Sequence, residues 1–462
     1  MVLATTADFR PAAPIPHKHT PTTWRFLLDL ARNPVEAFGD FAYEEPYVYK
    51  RSWIRHFLMV NDPDGARHVL LDNAANYIKS DQVQKRIRAI AGNGLLTAEG
   101  ASWRFQRRTA SPMFHARMVS AFAPMMAEAT EELLSRWSRL PEGAEIELAQ
   151  EMMKLTFDII SRTMFSNEVT IDYHALAHAM ETYLDTMGRV DPLDILGVPQ
   201  WVPTPNRVRA RPALKFIRRE LENLIAQRRA KIAADPSSAP NDLLTLLLTT
   251  KDPEEGALFS NAEVFDNVAT FIFAGHETTA NALAWTFYLL SQAGADDARV
   301  AREAADILKG RSAGSEDVPA LVFTRAVIEE SMRLYPPAPI LSRDSIGPDK
   351  IGPVNIEANT SVVVSPWIIQ RHRKLWKAPD YFMPERFMPG EREKIHRFAY
   401  IPFGAGPRIC IGMGFAMTEA VVILSTIAQR YRLDLSPGFV VAPQARITLR
   451  PKYGLKMRVF KR

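Results

Sequence analysis

The sequence is nearly free of cysteine, and Cys410 is the only one in a chain of 462 residues. One cysteine excludes an internal disulfide and is typical of proteins in a reducing compartment. Long apolar stretches are missing as well, because no run reaches the roughly 18 apolar residues that a transmembrane helix needs. Residues 1–21 also lack an apolar core of signal-peptide length. These absences predict a soluble, cytoplasmic protein.

Positive charge exceeds negative charge by only a small amount. The 57 lysine and arginine residues stand against 52 aspartate and glutamate residues, which gives a net charge of +5. Such a balance gives weak support for an acidic partner and none for nucleic-acid binding. Apolar residues make up 47% of the chain, which is enough for a large hydrophobic core.

The one cysteine lies in a glycine-rich stretch, Phe403–Gly412, with the sequence FGAGPRICIG. Glycine favours a tight bend there, where backbone without a Cβ atom can approach a flat partner closely. An apolar run from Phe415 to about Gln429 follows and predicts a buried helix. Cys410 therefore lies at or just before a helix N-terminus, where the helix dipole is expected to lower the pKa of the thiol. A thiolate in such a bend suits a soft metal centre such as haem iron.

Two alternatives compete with a metal ligand at this position. A lone cysteine is usually a buried core residue. A dinucleotide-binding GxGxxG motif could begin with Gly404 and Gly406. Its sixth position is Ile409, however, and Pro407 removes a phosphate-binding N–H group, so the dinucleotide interpretation fails.

The longer pattern FGxGPRxCxG resembles the haem-binding loop of the cytochrome P-450 family. The resemblance implies that Cys410 is the axial thiolate ligand of a haem iron. It also implies that the haem is bound by other residues of the loop, namely Phe403, Gly404, Arg408 and Gly412. Three further motifs resemble the same family and occur in the same order along the chain.

A long helix is predicted by a capping box formed by Ser260 and Glu263. Its periodicity continues to about Gln292, which gives about 32 residues and a length of about 48 Å. At its centre, the sequence AGHETT at 274–279 places glycine and β-branched threonine where helix propensity disfavours them. Such a local conflict is expected at functional sites.

The centre of this helix admits a second interpretation that fails. His276 and Glu277 could begin a zinc-protease motif, but Ala280 stands where the second histidine is required. The segment instead resembles the oxygen-binding motif AGxET of the P-450 family. The resemblance implies that Ala274 leaves room over the haem and that Glu277 and Thr278 handle oxygen and protons. Thr278 can also bond the carbonyl of Ala274 and bend the helix.

A third motif lies some way before the cysteine loop. Trp103 and Arg107 are four residues apart and share a helix face, as in an ordinary amphipathic helix. Their spacing resembles the WxxxR element whose side chains bind a haem propionate in the family. The resemblance implies that Arg343 and Arg408 also neutralise propionates.

The fourth motif pairs a helix with a downstream turn. Glu330 and Arg333 alone form an ordinary helix pair worth a few tenths of a kcal/mol. With the sequence PERF at 384–387 they resemble the ExxR and PERF elements of the family. The resemblance implies a buried charge network of Glu330, Arg333 and Arg386 that supports the cysteine loop.

Shorter segments complete the interpretation of the chain. A strand pair is predicted at 47–49 and 57–60, and the region 74–102 is expected to be loop-rich and to cover the substrate. Its basic side chains are expected to be solvated, with a substrate carboxylate as the alternative partner; they are Lys79, Lys85, Arg86 and Arg88. An apolar link at 191–205 resembles the family's lid over the substrate channel, with an internal packing loop as the alternative. Further strands are predicted at 362–365 and 447–449.

The resemblance spans about residues 24–462 and implies a mainly α fold with a small β region. We expect one haem domain over residues 1–462, with an extended segment at 1–23, and a monomer. The implied activity is insertion of one atom of O2 into a hydrophobic small molecule, by hydroxylation or epoxidation, with haem b as cofactor. Because the chain ends soon after the cysteine loop, electrons are expected from NAD(P)H through a separate ferredoxin or flavodoxin with its reductase. Basic residues of 104–108, 371–374 and 394–408 would face that carrier.

The substrate is less well specified by the sequence. The wording AGHETT and the sequence PPAP at 336–339 resemble the fatty-acid and alkane hydroxylases of the family. Candidates for the walls of the substrate pocket are Leu95, Phe271, Ala274, Ile340, Leu341 and Ile447. A non-oxygenating haem enzyme, such as a dehydratase or isomerase, and a haem-based gas-binding protein on the same fold are the alternatives.

Overall fold

The computed structural model of the protein describes residues 9–18, 23–51, 56–166, 173–187, 202 and 204–462. Within them the fold is mainly helical with a small sheet region, as predicted from the sequence. The longer helices are α1 (Thr23–Arg32), α2 (Pro63–Arg67), α3 (Asp81–Ala91), α4 (Gly100–Ala110), α5 (Ala116–Trp137), α6 (Leu148–Phe165) and α7 (Tyr173–Met187). They continue with α8 (Pro205–Ala234), α9 (Leu243–Thr249), α10 (Asn261–Gln292), α11 (Gly294–Leu308), α12 (Val322–Leu334), α13 (Pro366–Ile369) and α14 (Met413–Ala428).

Twelve short strands form the sheet region of the described chain. They are β1 (Tyr47–Lys50), β2 (Phe57–Val60), β3 (Tyr77–Lys79), β4 (Ala144–Glu147), β5 (Leu341–Ser345), β6 (Asp349–Ile351), β7 (Val354–Ile356), β8 (Ser361–Val364), β9 (Tyr431–Leu435), β10 (Pro443–Ala445), β11 (Leu449–Pro451) and β12 (Lys456–Lys461). The largest sheet has five strands in the order β1-β2-β8-β5-β3. The predicted pairing of the first two strands is confirmed, with Tyr47 opposite Val60.

Helix α10 organises the helical part. It has 32 residues, and the predicted capping box is present, since Ser260 accepts from the Glu263 N–H while the Glu263 carboxylate accepts from the Ser260 N–H. Its residues are buried continuously from 267 to 290 apart from three near the centre. A helix buried on nearly every side must run through the core, where it packs against α6, α12 and α14.

Two segments differ from the prediction. Residues 81–91 were expected to be loop but form α3, because Ile87 and Ile90 lie on one face and are both buried in the main core. Residues 447–449 were expected to be a strand, but β11 begins only at Leu449. The N–H of Arg446 donates to the Thr448 carbonyl over 2.9 Å, so the residues between β10 and β11 form a tight connection.

Most of the predicted lid, 191–205, lies outside the described residues, as does most of the segment 1–23. No helix among the residues described is both long enough and apolar enough to cross a bilayer.

Candidate active site

The cysteine loop is a bend closed by its own backbone. The N–H of Cys410 donates to the Phe403 carbonyl over 3.0 Å. Gly404 and Gly406 have φ angles of 71° and 68°, which side chains with a Cβ atom rarely adopt. A Cβ atom on Gly406 would also lie 1.8 Å from the Leu70 carbonyl oxygen, so the loop packs against the residues after α2 too closely for any other residue.

The Cys410 side chain is exposed, yet the surrounding protein raises the pKa of its thiol by burial. The side chain is thus accessible, while the protein packed around it disfavours the charge of a thiolate. The N–H of Gly412 and the positive charge of Arg107 act in the opposite direction, but burial outweighs them. The predicted lowering of the pKa is therefore wrong, because the helix N-terminus is set in a poorly solvated environment.

Four cations gather beside this loop. The pKa of Lys79 falls to about 7, first because of burial and then because of the neighbouring charges of Arg343 and Arg408, with Arg107 contributing less. The carboxylate of Glu99 acts in the opposite direction on Lys79. Burial and Arg408 together lower the pKa of Arg343 to about 10. The cluster therefore carries more positive than negative charge and favours an anionic partner.

Contacts of the cluster tie it to the cysteine loop. Arg107 donates to the Ile409 carbonyl over 3.0 Å. The guanidinium of Arg408 lies 4.0 Å from the centre of the Trp103 ring, and it also bonds the Ala98 carbonyl and the Glu99 carboxylate. The structure thus brings together Trp103, Arg107, Arg343 and Arg408, all four of which were named from the sequence.

Lys79 is a member of this cluster that the sequence analysis placed wrongly. It is partly buried at the end of β3, and its amine donates to the Leu96 carbonyl. β3 pairs with β5, so that Lys79 lies opposite Arg343. The prediction of a solvated lysine failed because this sheet pairing, between residues far apart in sequence, decides its surroundings.

The centre of α10 has one accessible face. Between residues 267 and 290, Ala274, Gly275 and Thr278 are the residues that are not buried. The Thr278 hydroxyl donates to the Ala274 carbonyl over 2.8 Å, which is the bond predicted from the sequence. Ala274 and Thr278 lie one turn apart and are the partly exposed side chains of this stretch, whereas a Cβ atom on Gly275 would lie 3.1 Å from Ile160.

The neighbouring acidic residue points elsewhere. Glu277 is buried, and its Oε1 accepts a 2.7 Å hydrogen bond from the Thr448 hydroxyl. His276 is buried too, where burial lowers its pKa to about 4 and its Nδ1 lies 2.7 Å from the Ile272 carbonyl. A neutral histidine bonded to its own helix stabilises the helix and adds no charge to the site.

The predicted pocket residues fall into two groups. Leu95 and Phe271 are buried; Leu95 is fixed to α10 by a 3.0 Å bond from its N–H to Asn267. Ala274, Ile340, Leu341 and Ile447 are partly exposed. Leu341 lies next to the cysteine loop, since a Cβ atom on Gly404 would be 3.9 Å from its Cδ1. Ile447 is adjacent in sequence to the partner of Glu277.

The charge network behind the loop is present. Arg333, fully buried, donates to both carboxylate oxygens of Glu330 over 2.7 and 2.8 Å. Arg386 is less tightly placed, with its Nε 3.5 Å from Glu330. Arg333 also bonds the Gln370 carbonyl, and the Gln370 side chain accepts from the Ile401 N–H. This chain of bonds connects α12 to the residues just before the cysteine loop.

A buried acid on α14 escaped the sequence analysis. Glu419 is 1% exposed, and burial raises its pKa to about 8 although the Thr279 hydroxyl donates to it. The signal in the sequence was a single acidic residue inside an apolar helix.

Comparison with known proteins gives a consistent result. The family model "Cytochrome P450" matches residues 29–457. Cyclooctat-9-en-7-ol 5-monooxygenase of Streptomyces melanosporofaciens is 33% identical, with 91% of this chain and 88% of that protein covered. Pentalenene oxygenase of Streptomyces avermitilis is 31% identical, with 86% of each chain covered. The crystal structure of the cytochrome P450DA heme domain superposes with a TM-score of 0.83 at 26% identity, covering 98% of this chain and 99% of that one.

Proposed function

The chain belongs to the cytochrome P450 family and is a monooxygenase, and we propose that Cys410 ligates a haem b iron while the pocket takes a terpene-like molecule. In this proposal residues 1–462 form one haem domain. Dioxygen supplies the inserted atom, and NAD(P)H supplies the electrons through a separate carrier. The proposal rests on the residues around the cysteine loop.

The donor set fits a haem on two counts. The exposed thiol of Cys410 can reach an iron, and thiolate is a haem ligand that the P450 enzymes use. The excess of positive charge at Lys79, Arg107, Arg343 and Arg408 matches the two carboxylates of a haem. This positive cluster beside an accessible cysteine is the observation that carries the proposal. Bound haem would supply the redox-active iron that activates dioxygen.

The protein's own residues then have separate roles. Arg107 and Arg408 hold the cysteine loop and the charge cluster together through Ile409 and Glu99. Thr278, on the accessible face of α10, offers a hydroxyl that can hold water and pass protons. Glu277 precedes Thr278 in the sequence, and its carboxyl group would exchange protons with the Thr278 site.

A terpene-like substrate follows from the relatives and suits the pocket. Two of them are named for cyclooctat-9-en-7-ol and pentalenene. The residues proposed to line the pocket, Leu95, Phe271, Ile340, Leu341 and Ile447, are all apolar. A fatty acid would need a partner for its carboxylate. The cations of the cluster, Lys79 included, are already assigned in this proposal to the two carboxylates of the haem.

An acidic ferredoxin or a flavodoxin is the proposed electron carrier. The surface that it would meet is less basic than the sequence suggests. Arg371 is buried against Trp367, with its guanidinium 3.6 Å from the ring centre, and Arg373 is paired with Asp40 and Glu44. Lys394 is exposed but paired with Glu391, so that Arg104, Lys374 and Arg397 are the exposed cations proposed to meet the carrier.

The test of ligation replaces the sulfur alone. Cys410→Ser is expected to abolish the strongly red-shifted Soret band of the reduced carbon monoxide complex, because a hydroxyl donates far less charge than a thiolate. Ala405→Ser, which adds a hydroxyl to the same loop and keeps the thiol, serves as control. Retention of the band in Cys410→Ser would exclude Cys410 as the ligand.

The test of the substrate is a binding screen read as a Soret shift. Cyclooctat-9-en-7-ol, pentalenene and dodecanoic acid are titrated separately into the protein. The proposal expects shifts with the first two at lower concentration than with the acid, and the reverse order would support a fatty-acid hydroxylase. Oxygen uptake and NAD(P)H oxidation with a surrogate reductase then separate oxygenation from isomerase or gas-binding chemistry.

A further inference from the structure

Three residues of α10 fasten it to the connection between β10 and β11. Glu277, Asn281 and Trp285 are spaced four apart and so form one stripe along the helix. Glu277 accepts a 2.7 Å bond from the Thr448 hydroxyl, and the Asn281 amide lies 3.4 Å from the same hydroxyl oxygen. The Trp285 indole donates to the Leu449 carbonyl over 3.2 Å.

The chemistry of Asn281 and Glu277 determines which atom donates in their hydrogen bonds to Thr448. The Asn281 amide nitrogen can only donate, so the Thr448 oxygen accepts from it. The Thr448 proton is therefore free to be donated to Glu277, whose carboxylate can only accept when it is ionised. The side chains of Glu277, Asn281 and Thr448 are all less than a tenth exposed. Hydrogen bonds to a charged group are stronger where water is excluded.

The hairpin that carries Thr448 is itself fixed on its other side. Asn33, which is buried, donates to the Pro443 carbonyl over 2.9 Å and accepts from the Ala445 N–H over 2.8 Å. β10 and β11 then pair with Ala445 opposite Leu449. Thr448 therefore presents its hydroxyl from a framework that is held at both ends.

We propose that Thr448 is a positioning residue that holds the Glu277 carboxylate in one orientation and keeps it ready to exchange protons with the Thr278 site. The inference rests on the proposed role of Glu277. The Thr278 hydroxyl donates to the Ala274 carbonyl, whereas the hydrogen bond of Thr448 goes to Glu277. Thr448 is thus assigned an effect on proton handling that acts through Glu277 alone.

The test compares Thr448→Val, which replaces the hydroxyl with a methyl group of the same size, with Thr448→Ser, which keeps the hydroxyl. Thr130→Val is the matched control, because Thr130 is fully buried in α5 and bonds only its own helix at Met126. All variants are first checked for the carbon monoxide band and for thermal unfolding. Thr448→Ala is used in place of the valine variant if the latter does not fold.

Product formed per NAD(P)H is expected to fall at least about threefold in Thr448→Val, a small part of the 10²–10⁴-fold that acid–base groups contribute. The pH profile of product formation should move to higher pH, because the carboxyl group loses a donor to its ionised form. Infrared difference spectra of the resting protein should show a carboxyl band that is absent in Glu277→Gln. In Thr448→Val this band should titrate at higher pH than in the wild type. Thr448→Ser should restore each of these.

Two results would overturn the proposal in distinguishable ways. If Glu277→Gln lowers product per NAD(P)H while Thr448→Val behaves as Thr130→Val in coupling, pH profile and infrared band, Thr448 does not position Glu277. If Glu277→Gln itself leaves coupling and the pH profile unchanged, Glu277 has no part in proton handling, and its proposed role fails together with the inference.

Discussion

Glu419 offers a test of the structure that does not depend on catalysis. It is 1% exposed in α14, and its Oε2 has no hydrogen-bond partner among the described residues. Burial raises the pKa of this carboxyl group to about 8 from an ordinary value of 4.5, with Thr279 acting weakly in the opposite direction. The group is therefore protonated in the native protein at neutral pH and ionised in the unfolded chain.

The sign of the effect follows from this difference. Between pH 4.5 and about 8 the native state holds a proton that the unfolded state has lost, so the free energy of unfolding falls as pH rises through this window. Below pH 4.5 both states are protonated, and the stabilising contribution is fully present. At one pKa unit per about 1.36 kcal/mol, the loss between pH 5 and pH 8 is on the order of 3 kcal/mol.

Glu419→Gln keeps the shape of the side chain but cannot ionise. We expect its stability relative to the wild type to increase by on the order of 3 kcal/mol between pH 5 and pH 8. The measurement is equilibrium urea unfolding of the haem-loaded proteins at pH 5, 6.5 and 8, followed by tryptophan fluorescence. Glu316→Gln, at an exposed position, is the control. A difference between Glu419→Gln and wild type that stays constant with pH would refute the reasoning, since Glu419 would then ionise equally in both states.

Two further predictions concern the site itself. Thr278→Ala is expected to keep haem content and substrate binding but to release hydrogen peroxide in place of product, because the hydroxyl on the accessible face of α10 is lost. An unchanged ratio of product to NAD(P)H consumed would remove Thr278 from the mechanism. Lys79→Met is expected to lose haem to an excess of apomyoglobin several-fold faster than wild type, while Lys79→Arg does not, because one of the cations proposed to hold the haem carboxylates is removed. Equal rates in all three would place Lys79 outside the haem site.

The parts of the site that could be predicted from sequence are those determined within a short stretch of chain. The capping box at Ser260 and Glu263 fixed the start of α10, and the length of its apolar pattern gave its end at Gln292. The bond from Thr278 to the Ala274 carbonyl spans one helical turn and follows from the residue types alone. Each of these features needs no knowledge of what packs against the helix.

The parts that could not be predicted depend on pairings between distant residues. The side chain of Lys79 is removed from bulk solvent because β3 pairs with β5, and these two strands lie far apart in the sequence. The pKa of Cys410 depends on burial, which no local pattern reports, and the dipole argument that predicted a lower value considered its helix alone. Thr448 meets Glu277 across 171 positions of sequence. In each case the residue type was visible in the sequence but its neighbours were not.

One turn of α10 shows how closely such local and distant determinants combine. Glu277, Thr278 and Thr279 are consecutive, and successive residues of a helix point about 100° apart. Glu277 accepts from the hairpin, Thr278 bonds its own helix on the partly exposed face, and Thr279 is hydrogen-bonded to Glu419 on α14. The three side chains therefore point in three different directions. Glu277 points towards a fixed donor, Thr278 lies on the partly exposed face of α10, and Thr279 points towards a neutral buried acid on α14. Replacing Thr448 or Thr278 should therefore lower the product formed per NAD(P)H, whereas replacing Glu419 should change the pH dependence of stability and leave coupling as it is. A Glu419 variant that also lowered coupling would show that the turn moves as one unit.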